Sequence, residues 1–294
     1  MKSFTEYLEK QGELIEKQLD RLIPEHSSPY KHLYEAARYS VLSGGKRLRP
    51  ILVLATTDML NGDLELALSP ACTLEIVHTY SLIHDDLPCM DDDDYRRGKL
   101  TLHKKYSEGH AVLTGDFLLT YAFEILAEHQ HLKPETKVKL ISTLAKRIGS
   151  NGMIGGQVMD IASEGKKISL ETLRLLHRNK TGALITASVE FGGIISNASE
   201  VQMESLRCYG ENIGLAFQII DDILDVTSSE AKHGRKVASD LVNEKSTYVT
   251  LLGIEKSKAL AEESYQKAID ALNIFTPNGS RLKNLADFII NRNH

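Results

Sequence analysis

Apolar residues recur every three or four positions through 4–22, 30–43, 67–87, 111–128, 135–149, 170–189, 200–226, 246–272 and 281–291, with no sustained alternation of period two. That period suits one buried face of an α-helix and not the pleat of a strand, so the chain is predicted to be all-α. Breakers separate the stretches at Pro24 and Pro29, Ser43-Gly44-Gly45, Asn61-Gly62, Pro134, Gly165, Gly192-Gly193 and Pro277-Asn278-Gly279. None is long enough to be a linker. Residues 1–294 are therefore expected to form a single domain, and 42% hydrophobic content can supply its core.

Charge and cysteine use narrow the function classes. Thirty-five Lys and Arg against 40 Asp and Glu give a net charge of −5, which argues against a nucleic-acid binder that works by neutralising phosphates. Cys72, Cys89 and Cys208 have neither paired nor metal-ligand spacing, so a disulfide framework and a zinc site are not expected. A reducing cytoplasmic location is expected. The first residues, MKSFTEYLEKQGELIEKQLD, are amphipathic and rich in acids, and read as a helix rather than a targeting segment. The longest nearly apolar run, 181–196, is interrupted by Glu190 and is short for a bilayer, so stable membrane insertion is not expected.

Two aspartate clusters point to chemistry: DDLPCMDDDD at 85–94 and DDILD at 221–225. Carboxylates this dense repel one another unless a multivalent cation joins them, and hard oxygen donors favour Mg²⁺ or Mn²⁺. Magnesium shares its shell with substrate phosphates, so two acidic walls on one cavity would grip a diphosphate. In the first cluster an apolar helix runs into Pro88, which should end it soon after Asp85 and Asp86 and let Asp91 fold back beside Asp85. A solvated acidic loop is the alternative. A calcium loop is another, but the turn glycine and terminal glutamate of an EF-hand are missing. In the second cluster Gln218, Asp221 and Asp225 share one helical stripe, with Asp222 beside them, among Phe217, Ile219, Ile220, Ile223 and Leu224.

Basic residues accompany both clusters. SGGKRLRP at 43–50 sets Gly44-Gly45 before a helix with Lys46, Arg47 and Arg49 in its first turn, an anion site unless these cations meet acids elsewhere. Arg96 and Arg97 follow the first cluster, and His78 lies two turns before Asp85. Arg96 and Arg97 could equally neutralise neighbouring aspartates, and His78 could be a core residue. Lys180-Thr181 and the run 234–247 add cations further along.

Taken together, GGKRLRP, HDDLPCMDDDDYRRG, GGQVMDI, Lys180-Thr181-Gly182 and FQIIDDILD resemble the trans-isoprenyl diphosphate synthases across nearly the whole chain. Pro88 and Cys89, the extra residues within the first motif, bring the match closest to the bacterial short-chain group, the farnesyl diphosphate synthases. The resemblance implies an all-α isoprenoid synthase fold, long helices around a deep central cavity, and a homodimer. It implies an allylic substrate, dimethylallyl or geranyl diphosphate, bound through three Mg²⁺ ions. Asp85 and Asp91 would ligate two of them, supported by Asp86; Asp221 would hold the third, assisted by Asp225. Arg96, Lys180 and a later cation, Arg235 or Lys236, would contact the allylic diphosphate, and Lys245 would complete the clamp. Isopentenyl diphosphate would sit on Gly45, Lys46, Arg49, His78 and Arg97.

The implied chemistry is ionisation of the allylic C–O bond, attack by the isopentenyl double bond, and proton loss to the departing pyrophosphate. Thr181, Gln218 and the Lys180 carbonyl would shelter the cation. Tyr80, five residues before Asp85 and about 7.5 Å back along the helix axis, would stop growth near fifteen carbons. A geranylgeranyl or longer-chain synthase shares every diphosphate motif. A class I terpene cyclase does not need GGKRLRP, and a noncatalytic prenyl-diphosphate-binding subunit does not need both acidic motifs. Arg292 and His294 raise the further question of whether they fold over the isopentenyl site.

Overall fold

A computed structural model of the chain describes residues 2–227 and 246–292. The helices are α1 (Lys2–Leu22), α2 (Lys31–Val41), α3 (Leu48–Met59), α4 (Leu64–Asp85), α5 (Leu102–Lys105), α6 (Glu108–Glu128), α7 (Pro134–Ile148), α8 (Met153–Ser163), α9 (Leu170–His177), α10 (Ala183–Ile195), α11 (Glu200–Thr227), α12 (Tyr248–Leu252), α13 (Ile254–Ala271) and α14 (Ser280–Ile290). The all-α expectation holds among these residues except for one small hairpin, β1 (Tyr95–Arg96) with β2 (Lys99–Leu100). Its two-residue turn puts Arg97 at φ 53° and Gly98 at φ 76°, the left-handed pair that a tight hairpin requires.

The chain divides into two compact units, one of residues 1–142 with 194–196, the other of residues 143–193 with 197–294. In the first, α4 packs against α1, α2, α3 and α6. Asp63 starts α4 by accepting from the amides of Glu65 (2.8 Å) and Leu66 (3.4 Å). The helix is apolar on nearly all sides and buries Ala67, Ala71, Leu74, Ile76, Val77 and Ile83. Both α4 and α6 are long and apolar enough to cross a membrane by length and composition, but most of that stretch of α4 is buried inside the protein.

In the second unit, α11 packs against α13 and α14, and its other neighbours include α9 and the turn that follows α9. Four expectations are corrected. The stretch 170–189 is not one helix, because a π-helical turn, Arg178–Gly182, joins α9 to α10. The stretch 246–272 breaks at Gly253, at φ 80°. Gly192-Gly193 does not end a helix: α10 runs through it, and Gly193 is bare because a Cβ there would meet Met203 Sδ at 2.5 Å. The helix after Gly45 begins only at Leu48, so Lys46 and Arg47 precede its first turn; Gly44, Gly45 and Arg47 all have positive φ, which holds off the helix.

Candidate active site

The first acidic motif folds as its proline dictates. Helix α4 ends at Asp85, and the chain turns back so that the Asp91 amide donates to the Asp85 carbonyl at 2.9 Å. This brings the two residues together at the helix end. The remaining aspartates have other roles. Asp86 is buried and takes the Arg96 guanidinium at 2.6–3.0 Å; burial pushes its carboxyl up, against the pull of Arg96. Asp93 meets Arg96 at 3.4 Å, and Lys104 meets Asp94 at 2.9 Å and Asp92 at 3.7 Å. For Asp92, Asp93 and Asp94, then, the solvated acidic loop is the better description.

A basic group assembles beside the same helix. Arg97 donates to the Gly44 carbonyl and lies over Gly45, where a Cβ would meet its guanidinium at 2.8 Å. Gly45 is therefore required by close approach as well as by its φ of 132°. Arg49 is half-buried with its Nε buried and unpartnered, and its pKa is lowered first by burial and also by Arg97. His78 is held well below its ordinary value, first by burial and then by Arg49 and Arg97, so it stays neutral amid cations. Gly45, Arg49, His78 and Arg97 are thus brought together. Arg47 is not part of this anion-facing group: its guanidinium is buried between Glu75 (2.8 Å) and Glu16 (2.7 Å) and also donates to the Val41 carbonyl. Tyr80 is buried one and a half turns before Asp85, its ring edge-on to His84, and burial followed by the charges of Asp85 and Asp116 pushes its hydroxyl up to about 12.

In the second unit the π-turn places Lys180 and Thr181 between α8 and α11. Lys180 Nζ donates to Asp160 Oδ2 at 2.5 Å, and the Thr181 hydroxyl donates to Gln218 Oε1 at 2.9 Å. With His177, Asp222, Ser246 and Thr247, these four line a cavity of about 160 Å³. Asp222 is buried and accepts from the Tyr248 amide at 2.8 Å, which anchors the start of α12. Helical spacing keeps Gln218, Asp221 and Asp225 on one stripe of α11, as expected.

Arg292 donates to Asp221 Oδ1 at 2.6 Å and to the Phe217 carbonyl at 2.7 Å, with its guanidinium 3.8 Å from the Phe217 ring centre. Arg235, Lys236, Lys245 and His294 lie outside the described residues. Asp160, although it lies within GGQVMDI, and His177, three residues before Lys180, carry no expected role in the sequence.

The donors suit a hard cation. Asp85 with Asp91, and Asp221 with Asp225, offer carboxylate oxygens and no thiolate or imidazole. Among the described residues no three His, Cys, Asp or Glu side chains converge to hold an ion unaided.

Comparison with known proteins agrees. The polyprenyl synthetase family matches residues 30–274. The farnesyl diphosphate synthase of Micrococcus luteus is 48% identical over 274 residues, 93% of this chain and 94% of that protein. The geranylgeranyl diphosphate synthase of Cyanophora paradoxa is 44% identical over 290 residues, 98% of this chain and 96% of that one. The crystal structure of an FPP/GFPP synthase from Zymomonas mobilis superposes with a TM-score of 0.89 at 38% identity, covering 98% and 99% of the two chains. The chain belongs to the polyprenyl synthetase family and has the isoprenoid synthase fold. It is a prenyltransferase, a trans-prenyl diphosphate synthase, of a family generally dependent on Mg²⁺.

Proposed function

We propose that the chain is a farnesyl diphosphate synthase, which condenses isopentenyl diphosphate with dimethylallyl and then geranyl diphosphate. The observation that carries the fifteen-carbon product is Tyr80, a buried aromatic one and a half turns before Asp85 and within electrostatic reach of it. The Micrococcus luteus relative supports the same product. The Cyanophora paradoxa relative favours the second reading, a geranylgeranyl synthase.

In this reading both units act as one catalytic domain, since the family match runs through both. Asp85, Asp91 and Asp221 would hold Mg²⁺, with Asp86 and Asp225 assisting. Bound Mg²⁺ would neutralise the allylic diphosphate and favour loss of its leaving charge. Arg96 and Lys180 bind that diphosphate. Gly45, Lys46, Arg49, His78 and Arg97 bind isopentenyl diphosphate, where a neutral His78 donates or accepts a hydrogen bond without adding charge. The Thr181 hydroxyl, the Gln218 carbonyl and the Lys180 carbonyl face the allylic cation. Asp222 acts indirectly by fixing α12. Arg235 or Lys236, with Lys245, would complete the clamp. The exposed Val112 and Leu113 on α6 support a homodimer, and water-soluble diphosphate substrates support a cytoplasmic reaction.

The test is product chain length with Mg²⁺, isopentenyl diphosphate and, separately, dimethylallyl or geranyl diphosphate. Predominantly C15 product is expected. C20 or longer transfers the reading to the geranylgeranyl class, and folded protein without condensation removes the enzyme reading.

A further inference from the structure

Lys180 and Thr181 stand on a π-helical turn, a rare geometry that has one extra residue in the hydrogen-bonded ring and is frequent at functional sites. Such a turn swells the helix and brings its backbone closer to its neighbours. On α8, a Cβ at Gly156 would sit 2.2 Å from the Lys180 nitrogen and 2.6 Å from its Cα. On α11, a Cβ at Gly214 would sit 3.0 Å from the Gly182 Cα.

Each glycine has a polar partner one turn further along the same face. Asp160, four residues after Gly156, takes the Lys180 ammonium at 2.5 Å. Gln218, four residues after Gly214, takes the Thr181 hydroxyl at 2.9 Å. The two flanking helices thus use the same device twice: a bare backbone position admits the bulged turn, and an acceptor four residues on fixes the side chain it carries. A helix interior gains nothing from glycine by propensity, since Ala is the better former.

We propose that Gly156 and Gly214, each paired with its i+4 acceptor, are positioning residues that set Lys180 and Thr181 for the allylic substrate. The inference rests on the reading that these two side chains serve the allylic diphosphate and its cation. Adding one methyl group at Gly156 pushes the turn away from α8 and moves the lysine amine off Asp160, and adding one at Gly214 pushes the turn away from α11 and moves the Thr181 hydroxyl off Gln218. Neither touches the group of Gly45, Arg49, His78 and Arg97, which belongs to the other unit.

The experiment is steady-state kinetics of wild type, Gly156→Ala and Gly214→Ala, with Gly12→Ala as control, because a Cβ at Gly12 in α1 meets nothing within 4 Å. Gly156→Ala should raise KM for dimethylallyl diphosphate at least tenfold, and Gly214→Ala about threefold, following the depth of overlap. KM for isopentenyl diphosphate should stay within twofold, and Gly12→Ala should leave both unchanged. Folded Gly156→Ala with wild-type KM for the allylic substrate overturns the proposal, as does an equal rise in both KM values, which a merely structural loss would give. If Gly156→Ala does not fold, Gly214→Ala, whose overlap a small shift relieves, decides by the same criterion. Inactive but folded wild type would instead refute the functional reading. The inference is then judged on crystal structures of the variants, where the Lys180–Asp160 separation should open beyond bonding distance in Gly156→Ala and the Thr181–Gln218 separation in Gly214→Ala; intact pairs would overturn it.

Discussion

Replacing Tyr80 by Ala tests how the fold limits its product. The side chain lies five residues before Asp85 on α4, about 7.5 Å along the axis by helix geometry, and is only 6% exposed. If its ring is the floor of the chain-growth space, removing it opens room for a fourth isoprene unit. Burying five carbons is worth at most about 4 kcal/mol at ~0.8 kcal/mol per methylene, or up to roughly a thousandfold in partition between stopping and extending. The same truncation costs on the order of 3–5 kcal/mol of stability, as for other buried aromatics cut to Ala, so the assay belongs at low temperature with a folding check. Product lengths are read by reversed-phase chromatography after dephosphorylation. Wild type should stop at C15 and Tyr80→Ala should run to C20 or beyond. Tyr80→Phe separates floor from hydroxyl, because it keeps the ring and removes only the group whose pKa is pushed up to about 12 by burial and by Asp85 and Asp116. It should still make C15. A folded, active Tyr80→Ala with unchanged product refutes the floor.

Arg292→Ala should tighten binding of Mn²⁺, a paramagnetic stand-in for Mg²⁺, about fivefold in an Asp85→Ala, Asp91→Ala background. The guanidinium 2.6 Å from half-exposed Asp221 opposes a divalent cation about 8 Å away by about 1 kcal/mol at water-like dielectric; unchanged or weaker binding by electron paramagnetic resonance would reject this. His177 is lowered to about 4, chiefly by burial, so the unfolded chain takes up its proton first as pH falls below 6.5. Its contribution is complete above pH 6.5 and shrinks by about 3 kcal/mol on going down to pH 4. His177→Gln should therefore flatten the pH dependence of denaturant stability across that window, and a parallel pair of curves would contradict it. Glu190 is buried between Arg147 (2.8 Å) and Arg207 (2.9 Å), so Glu190→Gln should cost about 2–3 kcal/mol, less than a fully buried pair because both arginines keep some solvent. A thermal midpoint within a degree of wild type would show that the pair contributes little.

The helical pattern and the end of α4 were readable because each depends on local physics. Period 3.6 marks a buried face, and Pro88 forbids α4 from continuing. The same reasoning put Asp91 beside Asp85 and set Gln218 with Asp221 and Asp225. What it missed are features decided by a neighbour rather than by the segment itself. Arg47 looks like its basic companions in GGKRLRP, and only the fold shows it buried against Glu16 and Glu75. Glu190 interrupts an apolar run for no local reason, and its two arginines come from 43 residues before and 17 residues after.

Glycine shows the limit most clearly, because one residue type has three different causes here. At Gly253 it ends a helix through a backbone conformation that a local rule can anticipate. At Gly193 it lets α10 continue beside Met203 and Leu206, and at Gly156 it admits the backbone of Lys180. The local pattern reads Gly193 as a break and passes over Gly253 and Gly156, and α8 and the turn at Lys180 leave no mark in it. The π-turn itself leaves the apolar period of 170–189 intact, since one added residue in a ring shifts the face too little to be noticed. The two side chains proposed to serve the allylic substrate are therefore ones whose placement depends on partners distant in the chain: Lys180 on Gly156 and Asp160, Thr181 on Gly214 and Gln218. The glycine pair makes that dependence measurable, because each substitution leaves every reactive side chain in the sequence and changes only where two of them stand.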